Sequence, residues 1–473
     1  MDHAEEFLDS EPDHAIKLFD AVLEKNPKSA RAYYFKARIL EEKLKTGVAS
    51  SGSKEYKDKL NQVLNMYMDL INRYEANETT SEWEYDILPR IFDWSVTQAH
   101  GLAWNHNMTQ FDADMYQRVF EKIPAYANLY NHQKALVEDL LALGDVFGAM
   151  KVIEVAMENE ELSHDPFLQF YKGILLKLTG SKKEGNKVLR SIMWDNEGDT
   201  VVFGNYIYPS MMVRPEMKGV VNMLWNNGQN SIAQLILLEA SKSHIFLSQY
   251  QRPTLAYDNL GQQPLIWDHY YAEPLAKLKD FLPTLKEETS KAVENISNDN
   301  WKILTHQNVA FGNYIYPNAG NLSTLPIFAY GEKRNCEEIM PRTCQFVLDH
   351  FNKACSFQHG TIKIDVIDAK TKTFPMVGLT NGKLRILVPL QIPKAFKFRL
   401  GQDTQVPLLE GSIIVIDDSF EHQYDNEKSL DKAAIWFSID ILHPDMDQDL
   451  GECGVNKSGQ DMYLHFNKYF NFT

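Results

Sequence analysis

The sequence predicts an α+β chain of two domains, a helical-repeat solenoid over residues 1–245 followed by an antiparallel β-sandwich over 246–473. Three observations predict it. The first half carries apolar residues at helical spacing, arranged in helix–turn–helix pairs. Small residues recur in it at a fixed offset. The last third breaks into short, strongly apolar runs separated by turn residues, the pattern of packed strands.

The first helix reads Pro12–Glu24, with Ala15, Ile16, Phe19, Val22 and Leu23 on one face; Ser10 is its cap and Asn26-Pro27 ends it. Ala30–Leu44 follows, with Ala32, Phe35, Ala37 and Leu40 inward, and the two make a helix pair. The stretch Thr46–Lys57 is a polar loop rich in Ser and Gly, and helical patterning resumes over Asp58–Arg90, with weak repeats around Asn77–Tyr126. Gly144 and Ala149 recur as Gly180 and Gly185, an offset of 36 residues in both cases (180 − 144 and 185 − 149). That is near the 34-residue period of tetratricopeptide helix pairs. Small residues there let helices approach closely. Because one pair cannot bury its apolar face alone, pairs stack into a solenoid. Such a solenoid either binds a polypeptide on its concave face or serves as a packing scaffold for the next domain. Phe203–Pro209 and Phe311–Pro317 both read FGNYIYP; their Gly, Asn and Pro are turn-like and their aromatics are expected to pack inward.

Gln251-Arg252-Pro253 marks a change of texture. Pro274–Asn298 is helical, and then strands dominate: Thr361–Val366, Leu384–Leu390, Phe396–Leu400, Ser412–Ile416 and Ala433–Ile441, with turns at Gly401–Thr404 and Asp425–Lys428. Short strands at this spacing predict a double-sheet jelly roll of the cupin type.

The bulk properties exclude several classes. The 473 residues, 44% hydrophobic and 24% charged, are ordinary globular composition. A net charge of −16 repels phosphate backbones and anionic lipid, so no nucleic-acid partner is expected. No apolar run is long enough to span a membrane. The acidic N-terminus, MDHAEEFLDSEPDH, lacks the basic and apolar regions of a signal peptide. Four cysteines, Cys336, Cys344, Cys355 and Cys453, are too few for a disulfide scaffold and lack zinc spacing. Cys336 and Cys344 fall in a polar, loop-like stretch, either paired or as two thiols. Asn-x-Ser/Thr triplets at Asn77, Asn107, Asn295, Asn321, Asn456 and Asn471 say little about compartment.

Five motifs then occur in a set order: GTIKIDVI, FPxxGxTNxxLRI (Phe374–Ile386), IPK (Ile392–Lys394), EGSIIVIDDSFEH (Glu410–His422) and DILHPDM (Asp440–Met446). In order and approximate spacing they resemble the aspartyl/asparaginyl β-hydroxylases, which are iron(II)/2-oxoglutarate oxygenases. The QRP at 251–253, QQPLIW (Gln262–Trp267) and the helical repeats resemble the same family. The resemblance implies a disulfide between Cys336 and Cys344, with one extra residue between them here. It also implies the endoplasmic reticulum lumen, whereas a true start at Met1 would imply the cytoplasm. Its substrates imply a polypeptide partner related to EGF-like domains.

The chemistry implied by the resemblance is incomplete in this chain. Ferrous iron suits imidazole and carboxylate oxygen, and this family manages with two histidines. The second matches His422. The first, in Pro-His-x-Gly-x-Thr-Asn, is Met376, whose thioether suits Cu(I) far better than Fe(II). No histidine lies between His359, expected at the surface, and His422; Asp365 and Asp368 are the substitutes on offer. The arginine that clamps the 2-oxoglutarate carboxylate corresponds to Ala434, and no arginine follows Arg399. Lys432, two residues earlier, is the one candidate replacement, about 7 Å along the same strand face. A co-substrate histidine two residues after the retained Arg385 is Leu387, and Asp365 stands in place of a serine. In the structural alternative, Asp417, Asp418 and Glu421 hold a turn, His422 is a satisfied core histidine and Arg385 pairs with an acid.

Three losses together predict a β-hydroxylase-like pseudoenzyme that binds polypeptide in a cleft between solenoid and sandwich and needs no cofactor. The alternatives are an active Fe(II)/2-oxoglutarate hydroxylase with altered ligands, and a structural subunit of a larger assembly. A filled, apolar pocket around His422, Met376 and Ala434 would favour the first; an open polar one would favour the second.

Overall fold

The computed structural model of the chain describes residues 2–8, 10–27, 29–46, 54–73, 88–195, 200–203, 206–257, 260, 265–266, 272–294, 300–304, 320–329, 331–356 and 360–446. The second FGNYIYP segment, His359, and the acceptor residues Asn77, Asn295, Asn456 and Asn471 lie outside them, as do Cys453 and the side chain of Cys355. The chain forms two compact units, Met1–Val188 and Leu189–Thr473. The division falls well before residue 245, so the helices Ser210–Asn226 and Asn230–Lys242 belong to the unit that carries the sheets.

The first unit is helical throughout its described residues. Pro12–Lys25 and Ala30–Thr46 form the expected first pair around Ala15, Phe19 and Ala32, all fully buried. Farther on, the pair Tyr130–Leu143 and Val146–Glu158 is followed by Pro166–Leu178 and Lys182–Arg190. Both starts are again 36 residues apart (166 − 130 and 182 − 146). The small residues do two different jobs. Gly144 and Gly180 have φ of 80° and 99° and end their helices in the left-handed region, which only glycine enters without strain. Ala149 is fully buried, and a Cβ on Gly185 would lie 2.7 Å from the Gly173 carbonyl, so these two permit close packing. Helix starts are capped by Asp145, which accepts from Gly148 N, and by Asp165, which accepts from Phe167 N and Leu168 N.

The second unit opens with a small antiparallel sheet, β1 (Met193–Asp195), β2 (Thr200–Phe203) and β3 (Tyr206–Pro209), in which Phe203 pairs with Tyr206. Phe203 and Tyr206–Pro209 of the first FGNYIYP segment thus lie on paired strands. A sandwich of two sheets follows. Its large sheet runs β4 (Leu265–Ile266), β12 (Ile414–Ile416), β9 (Lys383–Gln391), β14 (Ala434–Leu442), β8 (Thr361–Ile367), β6 (Leu322–Ala329) and β5 (Lys302–Leu304), with β7 (Glu332–Lys333) beside β6. Its small sheet runs β11 (Thr404–Gln405), β10 (Lys397–Leu400) and β13 (His422–Asp425). All pairings are antiparallel.

Strand periodicity assigns the two faces of the large sheet. Leu384, Ile386, Val388, Phe437, Ile439, Ile362 and Ile364 form the outer core with helices Ala272–Glu294 and Pro341–His350. Leu387, Ala434, Trp436, Ile367 and Ile416 face inward and meet Phe398, Leu400 and Tyr424 of the small sheet. At about 25 cal/mol per Å² of apolar surface, this two-sided burial dominates the stability of the unit. One local expectation needs correction. Cys336 and Cys344 are not in a loop; they lie in helices Cys336–Ile339 and Pro341–His350 and are buried in the outer core. The polar residues that suggest a loop there, Glu337, Glu338 and Arg342, are the solvent faces of those helices. The pair implied as a disulfide stands as two thiols in hydrogen-bonding contact, each pushed above its ordinary value by burial.

Candidate functional site

The inner face of the sandwich gathers the side chains singled out above. Segment 371–376 runs antiparallel along β13. Met376 N donates to His422 O and His422 N donates to Met376 O, both at 2.8 Å. Residues that exchange both backbone hydrogen bonds project to the same side of a sheet. The two positions to which the resemblance assigns iron ligands therefore sit side by side. His422 is 3% exposed, its Nδ1 donates to Phe420 O at 2.9 Å, and its ring meets Tyr424 edge-on at 5.7 Å. Burial lowers its pKa to about 4 against the opposing pull of Asp418, so the imidazole is neutral at physiological pH.

Arg385 lies opposite Asp440 across β9 and β14. Its Nε donates to Asp440 Oδ1 at 2.6 Å, and its Nη2 approaches Asp418 Oδ2 at 2.9 Å. Lys383, two residues earlier and on the same face, reaches Asp440 Oδ2 at 2.6 Å and Asp418 Oδ2 at 3.1 Å. The four charges form a closed buried square. Burial pulls Arg385 down, but Asp418 and Asp440 more than offset it. Burial alone would raise Asp440, and Arg385 and Lys383 hold it well below the carboxylate range. Gly378 is required beside this square, because a Cβ there would lie 2.5 Å from Asp418 Oδ1.

The positions to which the resemblance assigns co-substrate contacts are apolar or already neutralised. Ala434 is fully buried and pairs with Ile367 on β8. Leu387 is 1% exposed, between Ser438 on β14 and Ile414 on β12. Trp436 and Tyr424, centroids 4.6 Å apart, and Phe398, 5.1 Å from Tyr424, fill the space between the sheets. Asp365 is buried opposite Trp436 and takes an ion pair from Lys363 at 2.8 Å. Lys432 is exposed and precedes β14; its carbonyl accepts from Asn426 Nδ2 and Ser429 Oγ. Among the described residues, Trp436 Nε1, Ser438 Oγ and Asp418 Oδ1 are buried polar atoms without a hydrogen-bond partner, and no three His, Cys, Asp or Glu side chains are placed to hold a metal.

The acids before His422 divide the work. Asp417 Oδ1 accepts from Ser419 N at 3.0 Å and Oγ at 2.6 Å and closes the turn; burial pushes this carboxyl up to about 7. Glu421 bridges Arg252 at 2.8 Å and Arg399 at 2.6 Å. Sequence reasoning missed Lys383, Asp440 and Arg252 as members of the cluster. The signal for the first was present: two cations at i and i+2 in an otherwise apolar strand must share a face and need buried acids.

Residues 282–444 match the model of the aspartyl/asparaginyl β-hydroxylase family. The aspartyl/asparaginyl β-hydroxylase of Mus musculus is 31% identical over 129 residues, 27% of this chain and 17% of that protein. The protein of the same name from Homo sapiens is 23% identical over 450 residues, 92% of this chain and 52% of that protein. The chain thus spans about half the length of the human relative. Met376, Arg385, Leu387, His422 and Ala434 all fall inside the family match; Arg252 and the helices 210–242 precede it.

Proposed function

The chain belongs to the aspartyl/asparaginyl β-hydroxylase family, and from that premise we propose that it is a member without hydroxylase activity that binds extended polypeptide. In this reading the helical unit is a tetratricopeptide-like solenoid and the sandwich a jelly roll. The observation that carries the loss of activity is the charge square. The retained arginine is spent on Asp440 and Asp418 and has no fork to offer a 2-oxoglutarate carboxylate. The donor set does not suit a ferrous site either: one neutral imidazole faces a thioether, and nearby carboxylate Asp418 is paired with Lys383 and Arg385. Leu387, Ala434 and Trp436 occupy the inner face with side chains. We derive no catalytic step through iron or 2-oxoglutarate.

Binding is supported by a groove of about 590 Å³ inside the second unit, between helices Ser210–Asn226 and Asn230–Lys242 and the small sheet. Trp225 gives it an aromatic wall; Gln234, Gln249, Gln402 and Gln423 supply amides suited to an extended backbone. An EGF-like partner in the endoplasmic reticulum lumen is the corresponding proposal for ligand and compartment. Glycans on Asn107 or Asn321 of the native protein would support that compartment. The deciding test is 2-oxoglutarate turnover to succinate by iron-loaded full-length protein with peptide. We expect none above the protein-free rate; iron- and peptide-dependent succinate would overturn the reading.

One observation favours a second reading, an oxygenase with altered ligands: His422 is neutral and directly beside Met376, a pair suited to Cu(I). It requires stoichiometric metal that His422→Ala abolishes.

A further inference from the structure

Segment 248–252 follows helix Asn230–Lys242 and pairs with the turn before His422: Glu421 N donates to Tyr250 O at 2.6 Å, and Arg252 N donates to Ser419 O at 3.3 Å. Side chains tie the same two segments. Gln251, fully buried, donates from Nε2 to Ser419 Oγ at 2.9 Å and to Asp417 Oδ2 at 3.3 Å, and Ser419 Oγ donates to Asp417 Oδ1 at 2.6 Å. Every proton in this chain points toward Asp417, as a charged carboxylate demands. The amide oxygen of Gln251 is left over: Oε1 is buried without a hydrogen-bond partner. Such an orphaned acceptor is costly. A neutral Asp417 supplies what it lacks. After a half-turn of the amide, Oε1 would accept from the carboxyl O–H and from the Ser419 hydroxyl, while Asp417 Oδ1 keeps Ser419 N at 3.0 Å. The surrounding charges permit the neutral form. Burial, the largest cause, and Asp418 push the Asp417 carboxyl up to about 7 against Ser419 and Lys383 of β9. Lys383 is itself engaged by Asp440 at 2.6 Å and Asp418 at 3.1 Å, and Arg252, beside Gln251, by Glu421 at 2.8 Å.

We propose that Asp417, Ser419 and Gln251 form a proton-operated latch: a neutral Asp417 clamps segment 248–252 to the turn before His422, and an ionised one loosens it. Gln249 and Tyr250 of that segment line the groove of the polypeptide-binding reading, so the latch sets how firmly one groove wall is held. That consequence rests on the binding reading; the latch itself does not. Opening exposes Asp417 to water, where a carboxyl titrates near 3.8. The folded value is the higher one, so the clamp is complete below the unfolded value, weakens as pH rises toward the folded value and is constant above it. Hydrogen exchange of the full chain, without peptide and corrected for intrinsic rates, tests this over residues 248–253 and 417–422. Between about pH 5 and about pH 7.5 wild type is expected to lose roughly tenfold or more in protection there, while Asp417→Asn, whose amide imitates the neutral carboxyl, changes by less than about threefold. An equal loss in wild type and Asp417→Asn, or no loss in wild type, overturns the latch. If Asp417→Asn does not fold, Gln251→Leu serves in its place, expected to show roughly tenfold less protection than wild type already at about pH 5. Wild-type protection in Gln251→Leu at that pH overturns the latch as well. Because no peptide is present, a failure of the binding reading leaves these outcomes unmoved.

Discussion

Arg385 is, in the proposed reading, a retained residue that has lost a role without changing identity. Its guanidinium has the same place on β9 that the family resemblance assigns it, yet Asp440 sits opposite in register and Asp418 closes from the loop. Removing one partner of such a pair leaves an uncompensated buried charge. Arg385→Met is therefore expected to destabilise the second unit by about 3–5 kcal/mol, read from urea unfolding. A loss under ~1 kcal/mol would show that the square is loosely solvated. Met376 allows the converse experiment. Because its backbone exchanges both hydrogen bonds with His422, Met376→His would place two imidazoles on one face. We expect Co(II) affinity to rise at least ~10-fold over wild type, followed by visible absorption, with no succinate formed while Ala434 and Leu387 remain. Recovery of turnover from Met376→His alone would mean that the lost ligand was the single defect.

Among the described helices, a buried polar cluster spans three elements. His100 on helix Leu88–Asn105 donates to Asp112 at 2.7 Å, and Asp112 on helix Thr109–Lys122 shares a hydrogen bond with Asp139 on helix Tyr130–Leu143. Tyr116, His132, Lys134 and Glu138 border it, and Tyr171 donates to Glu138 at 2.6 Å. Burial, then Asp112 and Glu138, raise Asp139 well above the ordinary carboxylate range, and burial raises Asp112. A carboxyl whose folded pKa is raised contributes stability that is complete below its unfolded value near 3.8 and lost as pH rises through the folded value. The helical unit should therefore weaken as pH climbs from about 4 toward alkaline values. Asp139→Asn, which imitates the protonated form, should raise its stability at pH about 8 by roughly 1–2 kcal/mol and flatten the pH dependence. Urea midpoints at acid and alkaline pH check this; an unchanged slope would mean that the proton resides elsewhere. Strand β9 shows the sheet counterpart. Its near-continuous apolar run identifies a doubly buried strand, and period-two alternation alone assigns Lys383, Arg385 and Leu387 to the inner face.

For the molecule as a whole, the decisive contacts cross residue 245. Arg214 Nη1 donates to Thr254 O at 3.2 Å, Lys218 reaches Thr254 Oγ1, and Trp225 stacks on Phe374. A fragment beginning at 246 would expose that surface and leave Thr254 and Phe374 without their partners on helix Ser210–Asn226. We expect residues 189–473 to fold cooperatively with native near-ultraviolet dichroism, and 246–473 to be aggregated or lacking fixed tertiary structure. A well-folded 246–473 would place the boundary where the change of texture at Gln251-Arg252-Pro253 suggests it.

Period and local chemistry were enough for the strands β8, β9, β10 and β14, the first helix pair, the 36-residue recurrence and the motifs that identify the family, because each depends on residues near one another in the chain. Met376, Leu387 and Ala434 were readable as departures for the same reason. Only the tertiary structure decided what became of the residues that remain. Asp418 and Asp440 approach Arg385 from segments 33 and 55 residues away (418 − 385 and 440 − 385), and Lys218 meets Thr254 and the wall that bears Met376 through a helix packed on the sandwich. Charge neutralisation and cavity shape are sums over such distant neighbours, and no spacing rule along the chain encodes them.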